Sequence, residues 1–182
     1  MPSLFNFLQE PILLTGCNGF LGSYFLNSIV KIIDSDSKLQ STAKIIAIDN
    51  GITSSNKVIK RDYIQYYDEN LIGFDFNRLK PIKTIVHMAG LASPAQYKKY
   101  PLETIDVAVG VTRVLLEKAR EWKSKFIFFS SSEIYGNPDS ANVPTKETFL
   151  ISKLHPLSLV AKLIPGYNIL GLISQPLLKL NS

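Results

Sequence analysis

An α/β fold built on a doubly wound parallel sheet is what this sequence predicts, and three observations predict it. Short apolar runs of strand length alternate with longer amphipathic stretches, the pattern that repeated βαβ units leave behind. The first run passes into a glycine-spaced turn, Thr15-Gly16-Cys17-Asn18-Gly19-Phe20-Leu21-Gly22, and then directly into a helical pattern. The second run closes on an acid, Asp49.

The elements follow in order. Residues 12–15 are a continuous apolar run, as in strands buried on both faces. Residues 20–33 carry Leu21, Phe25, Ile29 and Ile32-Ile33 at helical spacing. The polar stretch 34–42 predicts a loop, and 44–48 a second strand that ends at Asp49. Residues 51–70 have weak periodicity and predict a loop with at most one short helix; 71–76 predicts a third strand and 84–87 a fourth. A helix over 105–122 places Val107, Val111, Val114, Leu115 and Ala119 on one face, and 125–130 is a fifth strand. From residue 150 onward Pro156, Pro165 and Pro176 punctuate a leucine-rich stretch without a strong period, which predicts no element. The expected organisation is therefore a domain over 1–149 and an unassigned apolar tail over 150–182.

Bulk properties narrow the function classes. At 182 residues, 46% hydrophobic and 19% charged, the chain is of the size and composition of one folded domain. The net charge is +5, but the densest basic pairs, Lys60-Arg61 and Lys98-Lys99, form no stripe interleaved with stacking aromatics, so no nucleic-acid partner is expected. The single cysteine, Cys17, cannot form an intramolecular disulfide, which suits a reducing cytoplasm. The first basic residue is Lys31, so no secretory leader is expected. The apolar stretch 163–178 is broken by Pro165, Gly166, Asn168, Gln175 and Pro176, so no membrane span is expected either.

The turn carries the chemistry. A diphosphate is held by backbone N–H groups at a helix N-terminus, and glycine allows both the tight turn and the close approach of phosphate oxygens. Gly16 would make the turn, Gly19 would admit the phosphate, and Gly22 would pack the helix on the strand. The candidate cofactor contacts here are Gly16, Asn18, Gly19, Phe20, Leu21 and Gly22. Asp49 can accept hydrogen bonds from ribose hydroxyls and would repel the additional phosphate of NADP, so NAD is the expected cofactor. The plainer reading of Asp49 is a cap on the turn at Gly51. No metal is expected.

Beyond these residues the chain resembles the extended short-chain dehydrogenase/reductase family, the NAD-dependent epimerases and dehydratases. Its Thr-Gly-x-x-Gly-Phe-x-Gly turn, Asp49-Asn50, His87-Met88-Ala89 and Ser130-Ser131-Ser132-Glu133-Ile134-Tyr135-Gly136 match that family's motifs in order, over residues 10–149. Within the family, Asp49-Asn50-Gly51-Ile52-Thr53 and Ala92-Ser93-Pro94-Ala95-Gln96-Tyr97-Lys98-Lys99-Tyr100-Pro101 are most similar to UDP-glucuronate decarboxylases. The dTDP-glucose 4,6-dehydratases and sugar 4-epimerases share the general motifs. The resemblance implies a Rossmann-type fold and a nucleotide-sugar substrate, a UDP-sugar. It implies that Asp49, Asn50 and Thr53 hold the ribose side and that Asp75 and Phe76 flank the adenine. Met88, Ala89 and Gly90 would line the cofactor. It gives Ser131 the role of the catalytic serine that hydrogen-bonds the reacting sugar hydroxyl, and matches Glu133, also a candidate catalytic residue, to the acidic residue that dehydratases and decarboxylases carry there. A serine cluster at a strand end is otherwise a cap or turn, and a lone histidine such as His87 is otherwise structural.

Two departures qualify the expected activity. The family's base is a tyrosine in Tyr-x-x-x-Lys, whereas this chain has Phe149 four residues before Lys153, and Tyr167 is followed four residues on by Gly171. Val107 stands where the family has an asparagine three residues before a glycine, here Gly110. The resemblance ends at about residue 149. The expectation is an N-terminal fragment, truncated or frame-shifted, that lacks the C-terminal substrate domain and is inactive alone. The alternative is a non-catalytic nucleotide-binding or interaction module, and a homodimer is a further expectation of the family.

Overall fold

The computed structural model describes residues 4–52, 59–131, 138–146 and 169–174. The chain divides into two compact units, Met1–Phe126 and Ile127–Ser182.

The first unit runs α1 (Leu4–Gln9), β1 (Pro11–Thr15), α2 (Phe20–Asp34), α3 (Ser37–Thr42), β2 (Lys44–Asp49), β3 (Ile64–Asp68), β4 (Thr84–His87), α4 (Pro94–Lys99), α5 (Pro101–Ile105) and α6 (Thr112–Trp122). Its strands are parallel and ordered β3-β2-β1-β4, with Ile12 opposite both Ile45 and Thr84, and Ile45 opposite Ile64. The next strand, β5 (Lys125–Ser131), begins beside β4, where the Lys125 N–H donates to the Lys83 carbonyl at 2.8 Å. Ile12, Leu13 and Leu14 in β1 and Ile85 and Val86 in β4 have no exposed surface, because helices cover both faces of the central strands. The chain leaves β1 toward β2 and leaves β4 in the opposite direction. Right-handed crossovers then put α2 and α6 on opposite faces, which makes the sheet a doubly wound, Rossmann-type one. The crevice between the ends of β1 and β4 is where such sheets bind ligands.

Local chemistry explains the elements. Helix α2 buries Gly22, Leu26, Ile29, Val30 and Ile33, a stripe rotated by one position from the predicted one, with Leu21 and Ile32 exposed. Burying such side chains contributes about 1.5–3 kcal/mol each. Residues 37–42, predicted as loop, form α3 because Asp36 accepts from the amides of Lys38 and Leu39 and Leu39 is buried. The predicted helix over 105–122 starts earlier, at Pro101, and contains a π-helical turn over Asp106–Val111.

The third strand is a correction. It lies at Ile64–Asp68, paired with β2, and residues 71–76 form no strand. Leu71, Phe74 and Phe76 are buried as the predicted strand required, but Gly73 at φ +81° breaks the extended run, and Asp75 caps a short 3-10 turn over Phe76–Arg78. Tyrosines at 63, 66 and 67 supply the β preference that the weak periodicity obscured.

In the second unit, β5 has β6 (Ile169–Ser174) as its hydrogen-bonded neighbour, so part of the tail is strand. Among the described residues no helix is long and apolar enough to cross a membrane.

Candidate functional site

The turn after β1 is built by steric necessity. Gly16 has φ +72°, and a Cβ there would lie 2.6 Å from the backbone N and Cα of Ala89 at the exit of β4. Only glycine lets the two strand ends approach this closely. A Cβ on Gly22 would lie 1.9 Å from the Gly16 carbonyl oxygen, so the first turn of α2 rests directly on the loop. Gly19 is the N-cap of α2 and offers no side-chain acceptor to the helix. The first-turn amides and the positive end of a 15-residue helix therefore face the crevice without a capping side chain.

Asp49 joins this turn to β2. Its Oδ2 accepts from the Asn18 N–H at 2.9 Å and its Oδ1 from the Gly51 N–H at 2.8 Å. The turn-cap reading and the ligand reading are thus compatible, since a carboxylate has about four lone-pair sites and two are used. The Asn18 side chain turns to β3, where its Nδ2–H donates to the Tyr66 hydroxyl at 2.7 Å. Beside it, burial and then the Asp49 charge push the Cys17 thiol up to about 12, so it stays protonated and unreactive.

These elements border a cleft that is open to solvent. Of the residues singled out from the sequence, Gly16, Gly19, Asp49, Asn50, Met88, Ala89 and Gly90 line it together. Asn18 and Gly22 lie behind the wall, and the Phe20 and Leu21 side chains face solvent. Asp75 and Phe76, expected to flank the adenine, are not among the residues that line the cleft. Phe76 is buried against Phe74 with ring centroids 4.9 Å apart, and Asp75 accepts from the Asn77 amide. Glu69, Asn70, Leu71 and Ile72, directly after β3, form part of the cleft wall. Arg78 braces this wall: its guanidinium donates to both Glu69 oxygens, at 2.8 and 3.0 Å, and lies over the Tyr67 and Phe74 rings.

The opposite wall includes Tyr100, Glu103 and Val107, which the sequence motifs did not flag as contacts. Tyr100 joins α4 to α5, Glu103 lies in α5 and Val107 in the π-helical turn, and a buried hydrogen-bond chain holds that turn to the sheet. The Thr112 hydroxyl donates to the Val107 carbonyl at 3.3 Å, so it accepts from His87 Nε2–H at 3.0 Å; Nδ1 then accepts from the Thr15 hydroxyl at 2.6 Å. Burial lowers the His87 pKa to about 4, so the imidazole is neutral near pH 7. It is a structural link between two threonines, as a buried histidine closing a strand suggests.

Thr53 and Glu133 lie outside the described residues, as does the side chain of Ser131, whose backbone ends β5. No group of three His, Cys, Asp or Glu able to hold a metal occurs among the described residues.

The sequence model of the NAD dependent epimerase/dehydratase family matches residues 12–163. UDP-glucuronic acid decarboxylase 1 of Arabidopsis thaliana is 31% identical over 143 residues, which are 76% of this chain and 29% of that protein. Two solved structures are similar. The UDP-N-acetylglucosamine 4-epimerase from Methanobrevibacter ruminantium M1, in complex with UDP-N-acetylmuramic acid, has a TM-score of 0.60 at 27% identity, over 79% of this chain and 45% of that one. A mutant UDP-glucuronic acid 4-epimerase from Bacillus cereus, in complex with UDP-4-deoxy-4-fluoro-glucuronic acid and NAD, has a TM-score of 0.62 at 25% identity, over 84% and 49%. The chain spans less than half the length of each of these proteins.

Proposed function

Because the chain belongs to the NAD dependent epimerase/dehydratase family, we propose that its cleft binds NAD and that the protein serves the modification of a UDP-sugar. The observation that carries this is one juxtaposition: the uncapped start of α2, the Gly16 turn against Ala89, and the Asp49 carboxylate all border one crevice at the β1/β4 switch point. The fit is chemical as well as spatial. A diphosphate is matched by the first-turn amides around Gly19, Phe20, Leu21 and Gly22, and a ribose diol by the remaining lone pairs of Asp49 with Asn50 beside it. Glu69–Ile72 would bound the adenosine end, and Met88, Ala89 and Gly90 the path toward the sheet's ligand edge.

When bound, NAD supplies a reversible hydride acceptor, and the protein's part is to hold and orient. Asp49 would orient the adenosine ribose and, by charge, select against a 2′-phosphate. Ser131 would hydrogen-bond the reacting sugar hydroxyl, and Glu133 would act as the acid on the same segment; Thr53 would complete the ribose side. The finer reading, supported by 31% identity to a plant UDP-glucuronic acid decarboxylase, is decarboxylation of UDP-glucuronate, with the dehydratase and epimerase reactions as its relatives. The whole reaction belongs to a protein of the relatives' length, and the chain by itself is proposed to bind cofactor without turnover. A cytoplasmic location is part of this reading, and cell fractionation checks it.

Isothermal titration tests the core of it. The expected result is saturable heat with NAD, a much weaker response with NADP, and none with nicotinamide mononucleotide alone. No heat with NAD would remove the reading.

A further inference from the structure

We propose that Tyr66 is a positioning residue for the glycine turn: through Asn18 it sets the turn against Asp49, a role that rests on the NAD reading of the cleft. Three residues from three elements close a ring here. The Asn18 N–H donates to Asp49 Oδ2 at 2.9 Å, the Asn18 Nδ2–H donates to the Tyr66 hydroxyl at 2.7 Å, and that hydroxyl donates to the Asp49 carbonyl at 3.4 Å. Asn18 comes from the turn, Asp49 from the end of β2, and Tyr66 from β3, where it pairs with Ala47. Asn18 is 7% exposed and Tyr66 is partly buried, and neither lines the cleft. The ring thus acts from behind the wall.

Its effect follows from what is left free. A carboxylate at a strand end can rotate, and a glycine turn can take many backbone conformations. With the Asn18 amide held on one Asp49 oxygen and its carboxamide held on Tyr66, both are set before a ligand arrives. Preorganisation of this kind removes an ordering cost from binding. Burial keeps the hydroxyl protonated, with a pKa pushed up to about 12, so the ring persists across the range in which proteins are handled. A tyrosine that merely packed against β2 would need no hydroxyl at all.

The test compares Tyr66→Phe with Tyr63→Phe, whose hydroxyl bonds the exposed Asp34 instead. Three quantities are measured: NAD affinity well below the melting temperature, the amide hydrogen-exchange rate of Asn18 without ligand, and the melting temperature itself. Tyr66→Phe is expected to weaken NAD roughly fivefold to tenfold, chiefly through loss of the hydrogen bond from Asn18, and to speed exchange at Asn18. Tyr63→Phe should change neither. Asn18→Ala should weaken NAD similarly, and adding Tyr66→Phe to it should cost little more, since the two act through one bond. Unchanged Asn18 exchange in Tyr66→Phe overturns the inference, as does equal weakening by both tyrosine variants. Faster Asn18 exchange in a protein that gives no NAD heat supports the ring and overturns the NAD reading, so the two failures are separable.

Discussion

A methyl group added at Gly22 would sit 1.9 Å from a backbone oxygen that cannot move without moving the whole turn. Gly22→Ala is therefore expected to destabilise by roughly 1–3 kcal/mol, the usual cost of overpacking, and to abolish NAD heat in titration at a temperature where the variant is still folded. Asp49→Asn tests the charge at the same wall. It keeps the size but removes the repulsion of a 2′-phosphate, so the ratio of NADP to NAD affinity should rise about tenfold, or ~1.4 kcal/mol. His87 gives a pH prediction. Its folded pKa lies near 4, below the ordinary 6.5, so folding favours the neutral ring. Its contribution is complete above pH 6.5 and is lost as pH falls toward 4. The difference of about 2.5 at ~1.4 kcal/mol per pH unit is about 3 kcal/mol. Urea melts of the wild type and His87→Gln at pH 7 and pH 4 check it: the wild type should lose more stability over that interval, by about that amount.

At the scale of elements, the end of α6 shows a cap made by an unusual residue. Lys123 adopts φ 56°, and the amides of Lys123 and Ser124 return to the carbonyls of Arg120 and Ala119, closing the helix as a left-handed terminus does. Glycine suits that conformation without the Cβ clash, so Lys123→Gly is expected to stabilise by about 0.5–1 kcal/mol, measured as a rise in the urea midpoint. The same scale marks where patterns in the chain were readable. Strands β1, β2 and β4 and helix α2 were legible because continuous apolar runs and i, i+4 spacing are properties of neighbouring residues. β3 was not. Its ladder depends on β2, while the more apolar stretch after it is bent by Gly73 and packs Phe74 against Arg78 and Phe76. Consequently the wall after β3, Glu69–Ile72, lies where the apolar pattern predicts the start of a strand, and no motif marks it.

At the scale of the molecule, length governs what can be expected. The chain spans 29% of the Arabidopsis decarboxylase and 49% of the Bacillus epimerase. Purified protein given NAD and UDP-glucuronate is expected to release no carbon dioxide and to accumulate no reduced cofactor; measured turnover would refute the inactive-fragment reading. The exposed side chains Phe20, Tyr24, Leu102, Ile105 and Val109 supply apolar surface of the kind that favours association. Light scattering with and without residues 150–182 separates a tail-driven partner from self-association through the first unit. Equal monomers in both forms would remove both.

What the linear chain determined is the class of fold, because a strand, a glycine turn, a helix and a terminal acid are spaced by local geometry. What only the folded molecule decided is which residues share a wall. Tyr66 meets Asn18 and Asp49, and Val107 is tied to Thr15 through His87 and Thr112, across separations that no period in the sequence encodes. Those pairings are products of sheet register and of a π-helical turn, and both arise when buried polar groups must find partners.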